Sequence, residues 1–143
     1  MSVGSRGTYV LDTSALLTYL GNEPGSEQIH ELLEGAKNQQ CQLTVPFIVF
    51  MEVCYRVWQV AGEEEARRTF TDLTHLPIHR TEVDDRTLWI ACEMKAVYRM
   101  SVADAWVLAT AIANQAQLVH KDPDFESAKE LVEMVTLPYK KHG

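Results

Sequence analysis

Short apolar runs alternate with longer amphipathic ones along the chain. Thr8–Leu11 is a β-prone run that stops at Asp12, and Thr13 to Leu20 then takes a helical spacing closed by Gly21-Asn22. Gly25 to Lys37 carries Ile29, Leu32, Leu33 and Ala36 at helical intervals. Gln42–Val45 predicts a second strand. Pro46 suits the first turn of a helix reaching about Ala61, where Gly62 stops it. Glu63 to Leu73 predicts a helix whose acidic first turn matches its dipole. Ile78–Arg80 predicts a third strand and Val83 to Tyr98 a helix, and Ser101 caps another from about Val102 to Gln115. Gln117–His120 is a fourth strand, and a short helix and a weak strand over Met134–Leu137 finish the chain. Strands separated by helices predict an α/β fold with a parallel sheet covered on both faces. Ligands in such sheets bind beyond the carboxyl ends of the strands. Asp12 and Asp122 fall where that rule points.

Composition narrows the picture. At 143 residues, one domain over 1–143 is expected, with residues 1–7 a flexible tail that lacks an apolar signal core. Thirteen Lys and Arg against 20 Asp and Glu give a net charge of −7. That excludes a generic basic nucleic-acid coat and a polybasic membrane binder. It leaves room for a metal-assisted nucleic-acid enzyme, whose clustered carboxylates would account for part of the deficit. Cys41, Cys54 and Cys92 are odd in number and form no C-x-x-C, which argues against a disulfide framework and for a reducing cytoplasm. The longest apolar run, Val45 to Met51, is too short to span a bilayer.

Four acids carry the chemistry. Glu52 and Arg56 are the only charges between Pro46 and Trp58, so that helix is expected to be largely buried. A buried carboxylate needs a partner. Glu52 is therefore either ion-paired with Arg56 on a wet stripe or a metal ligand. Asp104 closes a capping-box-like Ser101-Val-Ala-Asp104, Asp12 could simply cap the Thr13 helix, and Asp122-Pro-Asp124 could simply be a turn. If the sheet is parallel, the four can converge, and converging carboxylates repel unless a hard dication such as Mg²⁺ or Mn²⁺ joins them. His30, His75, His79, His120 and His142 are scattered, which disfavours zinc.

These residues resemble a known family. Tyr9-Val-Leu-Asp12-Thr-Ser14-Ala-Leu-Leu resembles the opening motif of PIN-domain ribonucleases, and Glu52 on an apolar helix resembles their second acid. Ser101-Val-Ala-Asp104-Ala-Trp-Val-Leu-Ala-Thr-Ala resembles their third motif, and Leu118-Val-His-Lys-Asp122-Pro-Asp124-Phe their fourth. A single domain of this length is most similar to the VapC-type toxins of toxin–antitoxin pairs. The resemblance implies a three-layer α/β/α sandwich and Mg²⁺- or Mn²⁺-dependent cleavage of single-stranded RNA. Asp12, Glu52, Asp104 and Asp122 match the acidic quartet that would hold the cation and activate water. Ser14 matches a supporting hydroxyl, and Asp124 is a second candidate for the fourth acid, with Asp122 preferred because it sits closer to the strand end. Members of the family often carry Thr or Ser at the position of His120, which could orient water, touch phosphate or fill space.

Arg56, one turn from Glu52, is a candidate phosphate contact, and Lys121 a weaker one. Trp58, Trp89 and Trp106 read as core or interface residues rather than base-stacking platforms. The resemblance also implies a homodimer and a VapB-like antitoxin, with the helices through Met51–Trp58 and Glu63–Leu73 offering apolar surface for either. The alternative is a catalytically weak binding module whose acidic pocket docks a basic partner segment. A receiver or aspartyl-phosphatase domain fits poorly, because no second Asp accompanies Asp12-Thr-Ser14.

Overall fold

A computed structural model describes residues 7–139. The tail expected over residues 1–7 lies, apart from Gly7, outside the described residues. Five strands form one all-parallel sheet: β1 (Thr8–Leu11), β2 (Gln42–Pro46), β3 (His79–Thr81), β4 (Gln117–His120) and β5 (Met134–Thr136), in the order β3-β2-β1-β4-β5. Helices α1 (Thr13–Leu20) and α2 (Ser26–Lys37) link β1 to β2, and α3 (Phe47–Ala61) and α4 (Glu63–Thr74) link β2 to β3. Helices α5 (Asp85–Tyr98) and α6 (Val102–Ala113) return the chain across the sheet to β4. A 3₁₀ helix over Pro123–Ala128 precedes β5. Right-handed crossovers that run in opposite directions along a sheet put their helices on opposite faces. The result is the α/β/α sandwich.

Strands β1 and β4 are central, and the core is built on them. Val10, Leu11, Leu118 and Val119 are fully buried, as strands covered on both faces require. Helix α6 lies over this region with Ala105, Val107, Leu108, Ala109 and Ala111 buried; its small side chains let it sit close to the sheet. Among the described residues no helix is long and apolar enough to cross a membrane.

The expected elements are all present, with shifted ends. Pro46 closes β2, paired with Thr81, rather than opening α3; with no N–H to give the ladder, it suits a strand terminus. Helix α5 starts at Asp85 rather than Val83, because the Asp84 carboxylate accepts from the Thr87 amide at 2.8 Å and fixes the boundary. Helix α6 ends at Ala113, two residues early, where Gln115 turns to φ 51°.

The largest departure concerns α3. It is buried along one face only, at Val49, Phe50 and Val53. Met51, Tyr55 and Trp58, at i, i+4 and i+7, form an exposed apolar stripe on another, with Met51 56% and Trp58 52% exposed. A helix apolar nearly all round is thus half covered within one chain. Trp58 and Trp89 stand in solvent rather than in the core, whereas Trp106 packs edge-to-face on Phe47 at 5.3 Å.

Candidate functional site

The strand order reverses direction between β1 and β4, the point at which an α/β sheet opens a crevice at its carboxyl edge. Asp12 leaves β1 there, its amide still donating to the Val119 carbonyl at 3.2 Å. Asp122 follows β4 by two residues. The two are therefore neighbours in space despite their distance along the chain.

Each acid is set by ordinary helix-end chemistry. Asp12 caps α1, accepting from the Ala15 amide at 2.7 Å. Asp122 caps the 3₁₀ helix, accepting from the Asp124 amide at 2.9 Å. Ser101 caps α6 by accepting from the Asp104 amide at 3.1 Å, which places Asp104 in the first turn. Three helix N-termini thus point their carboxylates toward one place. The capping reading and the site reading describe the same residues.

The acids meet in a cleft of about 540 Å³ lined by Asp12, Glu52, Asp104, Asp122 and Asp124. Among the described residues, Asp104, Asp122 and Asp124 come closest, with one oxygen from each within 4.8 Å of the others. Asp122 and Asp124 therefore both reach the cleft. Glu52 comes from α3, with its carboxylate accepting from the Thr13 hydroxyl at 2.7 Å. Arg56 stands 3.9 Å away, a loose pair with a half-exposed guanidinium.

Burial makes the cluster costly. Asp12 is only 4% exposed, and its carboxyl is pushed up to about 7, mainly by that burial. The Ala15 amide and Ser14 hydroxyl pull it down, and the charges of Asp104 and Asp122 push it further up. Asp104 is raised to about 6, again by burial first, then by Asp122. Burial away from water, with neighbouring negative oxygens adding to it, explains both directions. An all-oxygen donor set of this kind suits a hard dication such as Mg²⁺ or Mn²⁺.

Polar neighbours lock the acids in place. The Ser14 hydroxyl lies 2.8 Å from both oxygens of Asp12 and accepts the Lys121 amide at 2.8 Å, tying the ends of β1 and β4 together. His120 is fully buried. Its Nδ1 accepts from the Asp122 amide at 3.1 Å, so its proton sits on Nε2, 3.2 Å from the Thr136 hydroxyl. Burial holds this imidazole below its usual pKa, hence neutral. Its ring also meets Phe125 edge-on at 5.3 Å. His120 therefore fills space and fixes the turn that carries Asp122. Lys121 faces away from the carboxylates: its ammonium donates to the Pro24 carbonyl at 2.8 Å and lies 3.5 Å from Glu23.

Among the cleft residues that escaped the sequence reading are Thr13 and Arg99. Thr13 sat inside the opening motif, and a hydroxyl in a first helical turn was its only signal. Arg99, which ends α5, lines the cleft beside Met100 and Ser101. Nothing in the sequence pattern singled it out beyond a cation two residues before the third motif's cap, Ser101.

Comparison with known proteins agrees with this fold. The chain matches the PIN domain over residues 9–131 and belongs to that family. Solved structures similar to it include a toxin–antitoxin complex from Klebsiella pneumoniae, at 18% identity over 92% of this chain and 99% of that one, with a TM-score of 0.67. VapBC2 from Rickettsia felis, bound to a DNA fragment from its promoter, gives 18% identity, the same coverages and a TM-score of 0.71. VapBC-1 from nontypeable Haemophilus influenzae gives 17% identity over 90% of this chain and 97% of that one, with a TM-score of 0.70. At these identities the likeness is one of fold. No curated protein matches in sequence comparison.

Proposed function

We propose that this PIN-domain protein is a metal-dependent endoribonuclease that hydrolyses phosphodiesters of single-stranded RNA. The observation that carries the reading is the convergence of five carboxylates from four parts of the chain in one cleft, at the crevice where the strand order reverses. Asp12, Asp104, Glu52 and Asp122 would hold Mg²⁺ or Mn²⁺, with Asp124 beside them. Such a cation, when bound, supplies Lewis acidity that offsets charge on phosphate oxygens and makes water a competent nucleophile.

The chain's own residues do the rest. Ser14 holds both Asp12 oxygens, Thr13 holds Glu52, and His120 fixes the Asp122 turn, so the ligand oxygens are positioned before substrate arrives. Arg56, at the cleft rim, contacts a substrate phosphate; its pairing with Glu52 is loose enough to yield to one. Lys121 braces the loop through Glu23 and Pro24 instead.

The same reading makes the chain the toxin of a toxin–antitoxin pair in the cytoplasm, homodimeric and held by a VapB-like antitoxin. The solved relatives described as toxin–antitoxin complexes support the partner. The exposed stripe Met51–Tyr55–Trp58 supplies apolar surface of the kind an interface covers. The test is cleavage of a single-stranded RNA by the purified protein in Mg²⁺, beside Asp104→Asn. The unaltered protein should cleave, and the variant should fold yet lose at least about 100-fold in rate. Cleavage by the variant at the unaltered rate would reject the assigned chemistry.

A further inference from the structure

Arg99 differs from the other described arginines. Arg56 pairs with Glu52, Arg67 with Glu63, Arg68 with Glu64 and Glu65, and Arg80 with Glu82; Arg86 donates to the Ala113 carbonyl. Arg99 makes no hydrogen bond or ion pair with any described residue, although it lines a cleft holding five carboxylates. Its backbone is left-handed, as it also is at Asn22, Gln39 and Gln115. Arg99 ends α5 at φ 57°, ψ 29°, the left-handed conformation in which a Cβ is disfavoured and glycine is the usual occupant of a helix C-terminus. The turn around it is anchored: Met100 is buried, and Ser101 caps α6 one residue later. The turn thus places Arg99, exposed and unpaired among the described residues, on the α5–α6 side of the cleft, with Arg56 on α3.

We propose that Arg99 binds a backbone phosphate of the RNA strand next to the scissile one, the strain of its turn being retained for that contact. The proposal rests on the nuclease reading above. In a chain of net charge −7, a polyanion needs local cations at the cleft mouth, and a guanidinium with no partner among the described residues can take a phosphate through two parallel hydrogen bonds. Arg99 is a substrate-binding residue in this account.

Arg99→Gly separates this contact from a structural role. Steady-state cleavage of a labelled single-stranded RNA is measured for the unaltered protein, Arg99→Gly and Arg99→Lys over a series of salt concentrations, alongside thermal melting. For Arg99→Gly, KM should rise about tenfold with kcat within about twofold, and the log–log salt dependence of kcat/KM should flatten by roughly 0.7. The glycine variant should melt at or above the unaltered protein, because glycine relieves the left-handed turn. Arg99→Lys should keep the salt dependence and show an intermediate KM. Unchanged KM and salt dependence in Arg99→Gly would overturn the assignment, as would a loss of activity that only tracks a lower melting temperature. Absence of cleavage by the unaltered protein would instead overturn the nuclease reading, and this assignment with it.

Discussion

Replacing Asp12 by Asn should stabilise the cation-free protein while destroying its site. The carboxyl of Asp12 sits at about 7 rather than 3.8 because burial outweighs its two hydrogen bonds. Between those values the folded chain holds a proton that the unfolded chain has released, so stability falls as pH rises from about 4 to about 7 and is level above. A separation of about three pH units, at about 1.4 kcal/mol each, places on the order of 4 kcal/mol against the folded state at pH 8. Asn removes the charge and keeps an oxygen for the Ala15 amide, since Asn caps helices about as well as Asp. Losing a charge-assisted bond returns part of the gain, which leaves about 1–3 kcal/mol, or roughly 3–10 °C in melting temperature for a domain of this size. The assay is thermal unfolding of both proteins in EDTA from pH 4.5 to 8.5. The advantage of Asp12→Asn should grow up to about pH 7 and then hold. Saturating Mg²⁺ should reverse the order, because only the unaltered site gains binding free energy. A variant no more stable than the unaltered protein at pH 8, or a difference flat with pH, would refute the argument that burial of this carboxylate governs the site.

The remaining predictions follow from the same geometry. The acid limb of RNA cleavage should fall near pH 6–7, where Asp12 and Asp104 take up protons, and should move to lower pH as Mg²⁺ is raised, because metal and proton compete for the same oxygens; a pH–rate profile at two Mg²⁺ concentrations checks both. Arg56→Ala should raise KM for RNA several-fold with little loss of stability, since its pair with Glu52 is long and half exposed; unchanged affinity and rate would remove its phosphate role. His120→Ala should cost about 2–4 kcal/mol in denaturant unfolding, by opening a cavity against Phe125 and stripping the Asp122 amide and the Thr136 hydroxyl of their partner.

Much of this was legible in the chain itself. The alternation of short apolar runs with helical periods predicted each strand and helix, because in a parallel sheet covered on both faces hydrophobicity alone marks the central strands. The placement of Asp12 and Asp122 after strands already points to the crevice. The element ends were less legible: α5 starts at Asp85, rather than Val83, because the side-chain cap of Asp84 decides a boundary that periodicity leaves open. The accessibility of α3 was misjudged because an apolar pattern does not say which of two faces the same chain covers. Lys121 was misplaced for a related reason. The direction of a long cationic side chain depends on its loop, and Lys121 turns back to Pro24, while Arg99, which the pattern did not single out, lines the cleft.

Isothermal calorimetry of Mg²⁺ or Mn²⁺ added to the cation-free protein at pH 7.5, with and without single-stranded RNA, bears most directly on whether the five carboxylates form a dication site. Saturable uptake by the unaltered protein, lost in Asp104→Asn, is the predicted result. No detectable uptake of either ion, even with RNA present, would contradict it.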